Sequence, residues 1–314
     1  MHDWRVLARR LATRLGWAAL TLLGTVLIVF CLLHVSGDPA QTMAGEKADA
    51  AAVEQIRHEM GFDRPLPVQL GRYLWRAAHF DLGMSTVYRR PVTQLLWQRL
   101  PYTLALAAGG LLFWIGLGVP LGVWTALRRD TWVDRTCLVL AVLSLSAPTF
   151  WLGRMLQHEL AYRHPWFPVG GYGSLAHLCL PSLCLGLAGV GYYMRLVHTN
   201  MLEVLPSEYV RTARAKGLGE GAVIVRHALR TALLPIVTVF GLDAARLLGG
   251  AVFTEAVFGW PGLGSQVVQA IFNLDIPLVL GTVLFTATLV VASNLVVDLV
   301  YGWLDPRVAE QGSG

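Results

Sequence analysis

Asp243 and Arg246 stand three residues apart inside a long apolar run. On a helix that spacing puts both on one face, where they can pair. Charge within a membrane-length segment is expensive and marks either a polar lining of a path or an ion pair held between packed subunits. Both readings are open for this pair. The other concentration of chemistry is basic. Between Ser207 and Pro235 the chain carries Arg211, Arg214, Lys216, Arg226 and Arg230, with apolar runs on either side. Each would cost ~2.5–3.5 kcal/mol at a bilayer centre. The segment is therefore expected to be a loop, on the cytoplasmic side by the positive-inside rule.

Local signals give that loop structure. Pro206, Ser207 and Glu208 read as a helix start, with a capping hydroxyl and an acid at the positive end of the dipole. Arg214 and Lys216 suit a last turn, and Gly217 suits the left-handed stop. Glu220 can open a second helix, with Arg226, His227, Leu229 and Arg230 towards its end. Ala213, Ala215, Gly217, Gly219 and Gly221 are small, so another backbone can approach closely. On these residues alone the loop is either a docking surface for a cytoplasmic partner or a solvated basic stretch that sets topology.

Several chemistries are excluded or weak. A phosphate loop needs Gly-Lys-Ser/Thr, but Lys47 follows Glu46 and Lys216 follows Ala215. No zinc-protease or nucleophile-elbow motif occurs, and no catalytic residue is assigned. His158, His164 and His177 have no metal-ligand spacing, and no metal site is expected. Cys31, Cys137, Cys179 and Cys184 lie in apolar runs and read as small buried hydrophobes.

The elements that must position these residues follow from hydropathy. The 314 residues are 55% hydrophobic and 14% charged, against roughly 25% charged in a soluble domain. That is the composition of an all-α polytopic membrane protein. The net charge of +5 is spread over several loops, so topology explains it and nucleic acid does not. Six spans are expected, at 15–35, 102–126, 133–155, 175–198, 232–253 and 277–303. Arg5, Arg9, Arg10 and Arg14 precede the first, and Arg128, Arg129 and Arg135 lie around the second return. Both termini are therefore expected in the cytoplasm, 1–14 and 304–314. Residues 36–100 form a polar outer excursion, with an amphipathic helix at 49–60 and a second surface helix around Tyr73–Ala78. Arg154 and Asp298 lie near span ends and can snorkel. Gly116, Gly118, Gly186, Gly189, Gly191, Gly249 and Gly250 lie within spans, where small residues allow close helix packing.

The basic loop also carries a family resemblance. Tyr209-Val210-Arg211-Thr212-Ala213-Arg214-Ala215-Lys216-Gly217, then His227-Ala228-Leu229-Arg230 and Leu234-Pro235, resembles the EAA loop of ABC-importer permeases. Arg211 stands where the name-giving Glu would be, Thr212 replaces the first Ala, and His227 and Arg230 replace an apolar residue and Pro. That form narrows the likeness to the dipeptide, oligopeptide and nickel branch. Glu255, Phe258, Trp260, Pro261, Gly262 and Gly264 resemble the same family's outer motif between its last two spans. Gly37-Asp38-Pro39, Asp81-Leu82-Gly83-Met84-Ser85, Pro148-Thr149-Phe150-Trp151 and Asp305-Pro306-Arg307 add weaker matches, in order, along nearly the whole chain.

The resemblance implies a non-enzymatic transport subunit in a bacterial inner membrane. It implies a five-helix core over 101–303, whose coupling loop at 203–231 seats in a groove of an ATPase. It implies a second homologous permease, two cytoplasmic ATPases that bind ATP and Mg, and an outer substrate-binding protein. A di- or oligopeptide is the leading substrate, with nickel or a small conjugated peptide as the alternative. An ion-coupled secondary transporter is the competing class. It calls for midplane carboxylates, and Asp243 is the one such acid the sequence offers.

Overall fold

The computed structural model describes residues 4–35, 39–44 and 48–304. Every regular element among them is helical, apart from an isolated antiparallel bridge between Met84 and Pro91. The helices are α1 (Trp4–Val35), α2 (Pro39–Ala44), α3 (Ala50–Met60), α4 (Leu66–Ala78), α5 (Val92–Leu127), α6 (Trp132–Ser146), α7 (Thr149–Arg163), α8 (Leu175–Val204), α9 (Glu208–Ala215), α10 (Glu220–Ala232), α11 (Leu234–Gly250), α12 (Val252–Phe258), α13 (Leu263–Phe272) and α14 (Ile276–Leu304).

Among the described residues, α5, α8 and the Ile276–Val297 part of α14 are long and apolar enough to cross a membrane. The number rises to five if two bent pairs, α6 with α7 and α10 with the start of α11, each count as one span. Gly16–Cys31 is a shorter apolar stretch within α1. The third expected span is not one straight helix. It breaks after Ser146, and α7 leaves α6 at 108°. Pro148 is the cause: it supplies no N–H, and it drives Ala147 out of the helical region, to ψ 130. The expected outer loop is shortened as well. Residues His158–Arg163 continue α7 as a π-helical turn.

The chain divides into two compact units. One comprises Met1–Pro101 and Gly262–Val296. Its core gathers Leu82, Val92, Leu95 and Leu96 with Leu263, Ala270, Leu278 and Val279. The start of α5 thus packs against α13 and the start of α14. A polar knot reinforces that contact. Asp275 is fully buried and accepts from the Ser85 hydroxyl. The amides of Thr86 (3.2 Å), Val87 (3.3 Å) and Leu278 (3.3 Å) also donate to its carboxylate.

The other unit comprises Tyr102–Pro261 and Val297–Gly314. α8 is its axis, burying Tyr193, Val197 and Met201 among Leu106, Trp114, Val210, Val223 and Ala228. Close approach depends on two glycines of α8. A Cβ at Gly189 would overlap the Trp114 indole, whose Nε1 donates to the Leu185 carbonyl at 3.3 Å. A Cβ at Gly191 would sit 2.6 Å from the Ala141 carbonyl of α6. These contacts are the small-residue packing of helices in lipid.

Candidate functional site

The basic loop folds as a helical pair anchored beneath α8. α9 begins after Ser207, whose φ of −64° and ψ of 151° are those of an N-cap. The Ser207 hydroxyl does not cap α9; it donates back to the Val204 carbonyl of α8 at 2.6 Å. Glu208 fills the first turn and meets Arg211 at 3.4 Å on the exposed side. The helix closes at Gly217, in the left-handed region at φ +78°. Arg214 then reaches α10 through a two-pronged pair with Glu220, Nη2–Oε1 2.7 Å and Nε–Oε2 3.2 Å. The Arg214 guanidinium holds the Glu220 carboxyl below the usual carboxylate range, and Glu220 raises Arg214 in return.

Packing sorts the loop's residues by face. Val210, Ala213, Val223 and Ala228 are buried, and Leu229 is half-buried against the same core. Asn200 of α8 donates to the Ala232 carbonyl at 3.0 Å and ties down the returning end. Arg211, Arg214, Ala215, Lys216, Gly217, Arg226 and Arg230 are exposed, with His227 half-buried. Tyr209, Leu218 and Val225 add exposed apolar surface, Val225 at 63%. The middle of α10, Val223–Leu229, is π-helical, an irregularity that recurs at functional sites. Space is open where a Cβ would stand at Gly217, Gly219 and Gly221. Of the small residues singled out, Ala213 therefore packs the loop from within, while the glycines face outward.

Asp243 accepts from the Tyr193 hydroxyl at 3.2 Å. Tyr193 is fully buried and stacks on Trp114, with Phe240 edge-on at 6.2 Å. The side chain of Arg246 lies outside the described residues, and with it the expected pairing; so does that of Asp298. Arg154 donates to the side chain of Gln157 at 3.1 Å. The outer motif is a buried knot. Glu255 is fully buried and accepts from Thr103 at 2.7 Å. Trp260 Nε1 donates to the Tyr102 carbonyl at 2.8 Å, and Gly171 N–H donates to the Phe258 carbonyl at 2.8 Å. Gln157 donates to Val257 and Val169 carbonyls at 3.1 and 2.7 Å. Pro261 ends this unit, and Gly262 is the N-cap of α13, with Gly264 buried in its first turn.

Two buried carboxylates were not singled out by sequence reading. Asp275 forms the knot with Ser85, and its signal was faint, a lone acid two residues before Pro277. Asp134 starts α6, accepts from the Asp130 amide at 3.0 Å and lies 3.6 Å from His198. His198 also meets the Thr125 hydroxyl at 3.1 Å. The spacing Thr131-x-x-Asp134 is a helix-start signature that could have found it. His158, His164 and His177 make separate local contacts, with Glu159, Trp166 and Ser174.

Long apolar helices and a core built on glycine contacts define a polytopic helical membrane protein, and its basic loop is structured. Comparison narrows that class. Residues 118–310 match the family described as binding-protein-dependent transport system inner membrane component, and residues 5–107 match the N-terminal family of the same systems. The chain belongs to this family. It is 41% identical to a peptide transport system permease protein of Brucella abortus, covering 94% of this chain and 97% of that one. It is 37% identical to a dipeptide transport system permease protein of Escherichia coli, with the same coverage of 94% and 97%. It is 39% identical to a glutathione transport system permease protein of Pectobacterium atrosepticum, covering 92% of this chain and 94% of that one.

Proposed function

We propose that this chain is the permease subunit of an ATP-driven importer of short peptides, coupled to an ATPase through α9 and α10. The observation that carries the reading is the sorting of that loop: apolar side chains turned into the core, cations and open glycines turned out. A loop that only set topology would need no such core. Peptide import is the substrate class that the named relatives share, glutathione itself being a peptide.

The reading includes six spans with both termini in the cytoplasm, 1–14 and 304–314, and an outer excursion over 36–100. A second homologous permease completes the path. Two ATPase subunits bind ATP and Mg, and a substrate-binding protein delivers from outside. Closing of the ATPase pair moves the 203–231 loop, and α8 and α11, which flank it, transmit the motion. Asp243 and Arg246 contribute to the lining of the path, and Glu255, Phe258, Trp260, Pro261, Gly262 and Gly264 brace its outer end.

Arg211→Glu combined with Lys216→Glu is the direct test, because both side chains are exposed and neither holds the loop's core. In complemented cells the pair should lower labelled-dipeptide uptake at least tenfold at equal membrane abundance. Undiminished uptake overturns the docking role.

A further inference from the structure

We propose that the outward face of α4, continued by Phe80, is a membrane-interface anchor that lies against lipid headgroups and the adjoining acyl region. The helix packs on one side only. Leu70, Tyr73, Leu74 and Ala77 are half-buried, and no α4 residue is fully buried. A water-facing helix would be polar on the other side. Here Pro67, Val68, Gly71, Trp75 and Ala78 follow one another around it, with Val68 43% and Trp75 71% exposed. Arg72 and Arg76 border this strip. Asp81 holds Arg76 at 2.8 Å, whereas Arg72 has no carboxylate partner among the described residues. An apolar strip edged by arginine is the pattern of a helix lying in the plane of a bilayer surface.

Phe80 is an independent observation. It closes α4 in the left-handed region, φ +60°, with its own amide on the Ala77 carbonyl and that of Asp81 on the Arg76 carbonyl. Glycine is the usual residue in this cap. The phenyl ring placed there is 84% exposed. A bulky aromatic in a strained backbone position, held out from the chain, points to a contact outside the chain.

The position of α4 selects lipid as that contact. Ala77 packs on the cluster that holds Leu82, Val92, Leu278 and Val279. α5 and α14, two of the three helices long and apolar enough to cross a membrane, begin at that cluster. The α14 span is expected to begin at 277, within that cluster, so α4 lies beside the point where this span emerges, the depth at which aromatic and basic side chains gather in membrane proteins.

The test uses the full chain in nanodiscs of phosphatidylcholine and phosphatidylglycerol, with its four cysteines replaced. Nitroxides are placed through Val68→Cys, Trp75→Cys and Phe80→Cys, with Thr212→Cys on α9 as the aqueous reference. Oxygen should relax the label more than a water-soluble nickel chelate does at 68, 75 and 80, with the order reversed at 212. Chelate access at the three sites equal to that at 212 overturns the proposal. Protection that arises only after the substrate-binding protein is added also overturns it and assigns the face to protein docking. The native-cysteine chain supplies a second reading. Brominated phosphatidylcholine should quench a tryptophan component that Trp75→Phe removes, and equal fractional quenching in both chains counts against the anchor.

Discussion

At Leu274 an apolar side chain occupies a left-handed backbone position, φ +53°, just past Asn273, the C-cap of α13. The amides of Leu274 and Asp275 close the helix onto the Ile271 (3.1 Å) and Ala270 (2.8 Å) carbonyls. A Cβ in that region costs ~1–2 kcal/mol, and glycine gives back roughly 0.5–1 kcal/mol in unfolded-chain entropy. The Leu274 side chain is 59% exposed, so little burial is lost with it. Leu274→Gly should therefore stabilise the detergent-solubilised protein, raising Tm by about 1–3 °C in a thermal-shift measurement. A lower Tm would mean that the leucine side chain holds more than its backbone position costs. Its neighbour Asp275 shows why a buried acid is tolerable. A hydroxyl and three backbone amides meet its two oxygens, which satisfies a carboxylate without a cation.

Among the elements, α9 was legible from its own residues. Ser207 and Glu208 mark its start and Gly217 its stop, and the helix runs Glu208–Ala215. Its link to α10 was less so, because Arg214 finds Glu220 across a turn whose path no local propensity dictates. The depressed Glu220 value gives that link a pH sign. A carboxylate lowered in the folded state stabilises fully above its ordinary value of 4.5 and loses the contribution as pH falls through the folded value. Amide protection factors across 214–222, taken against the intrinsic exchange rate at each pH, should fall below that range, and Glu220→Gln should flatten the response. High salt should weaken the pair, since both partners are exposed. Hydropathy merges α6 and α7 into one span because it averages over Pro148, which bends the chain without changing its polarity. In α8, Gly189→Ala should cost ~1–3 kcal/mol by overpacking against Trp114. A Tm unchanged by that substitution would show that the indole can shift freely.

For the whole molecule the decisive measurement is uptake. Cells lacking this gene should lose uptake of labelled dipeptides and regain it on complementation, with nickel uptake unaffected. Loss of nickel uptake alone would move the substrate outside the peptide class. The membrane class and the long apolar helices α5, α8 and α14 were determined by the sequence itself, because the cost of placing a side chain in lipid adds up residue by residue along the chain. The partners of the buried acids were decided only by the tertiary structure. Ser85 and Asp275 are 190 residues apart, and Thr103 and Glu255 are 152 apart. Nothing local announces such pairs. A buried carboxylate needs donors at hydrogen-bond distance, and which donors arrive depends on how the helices pack.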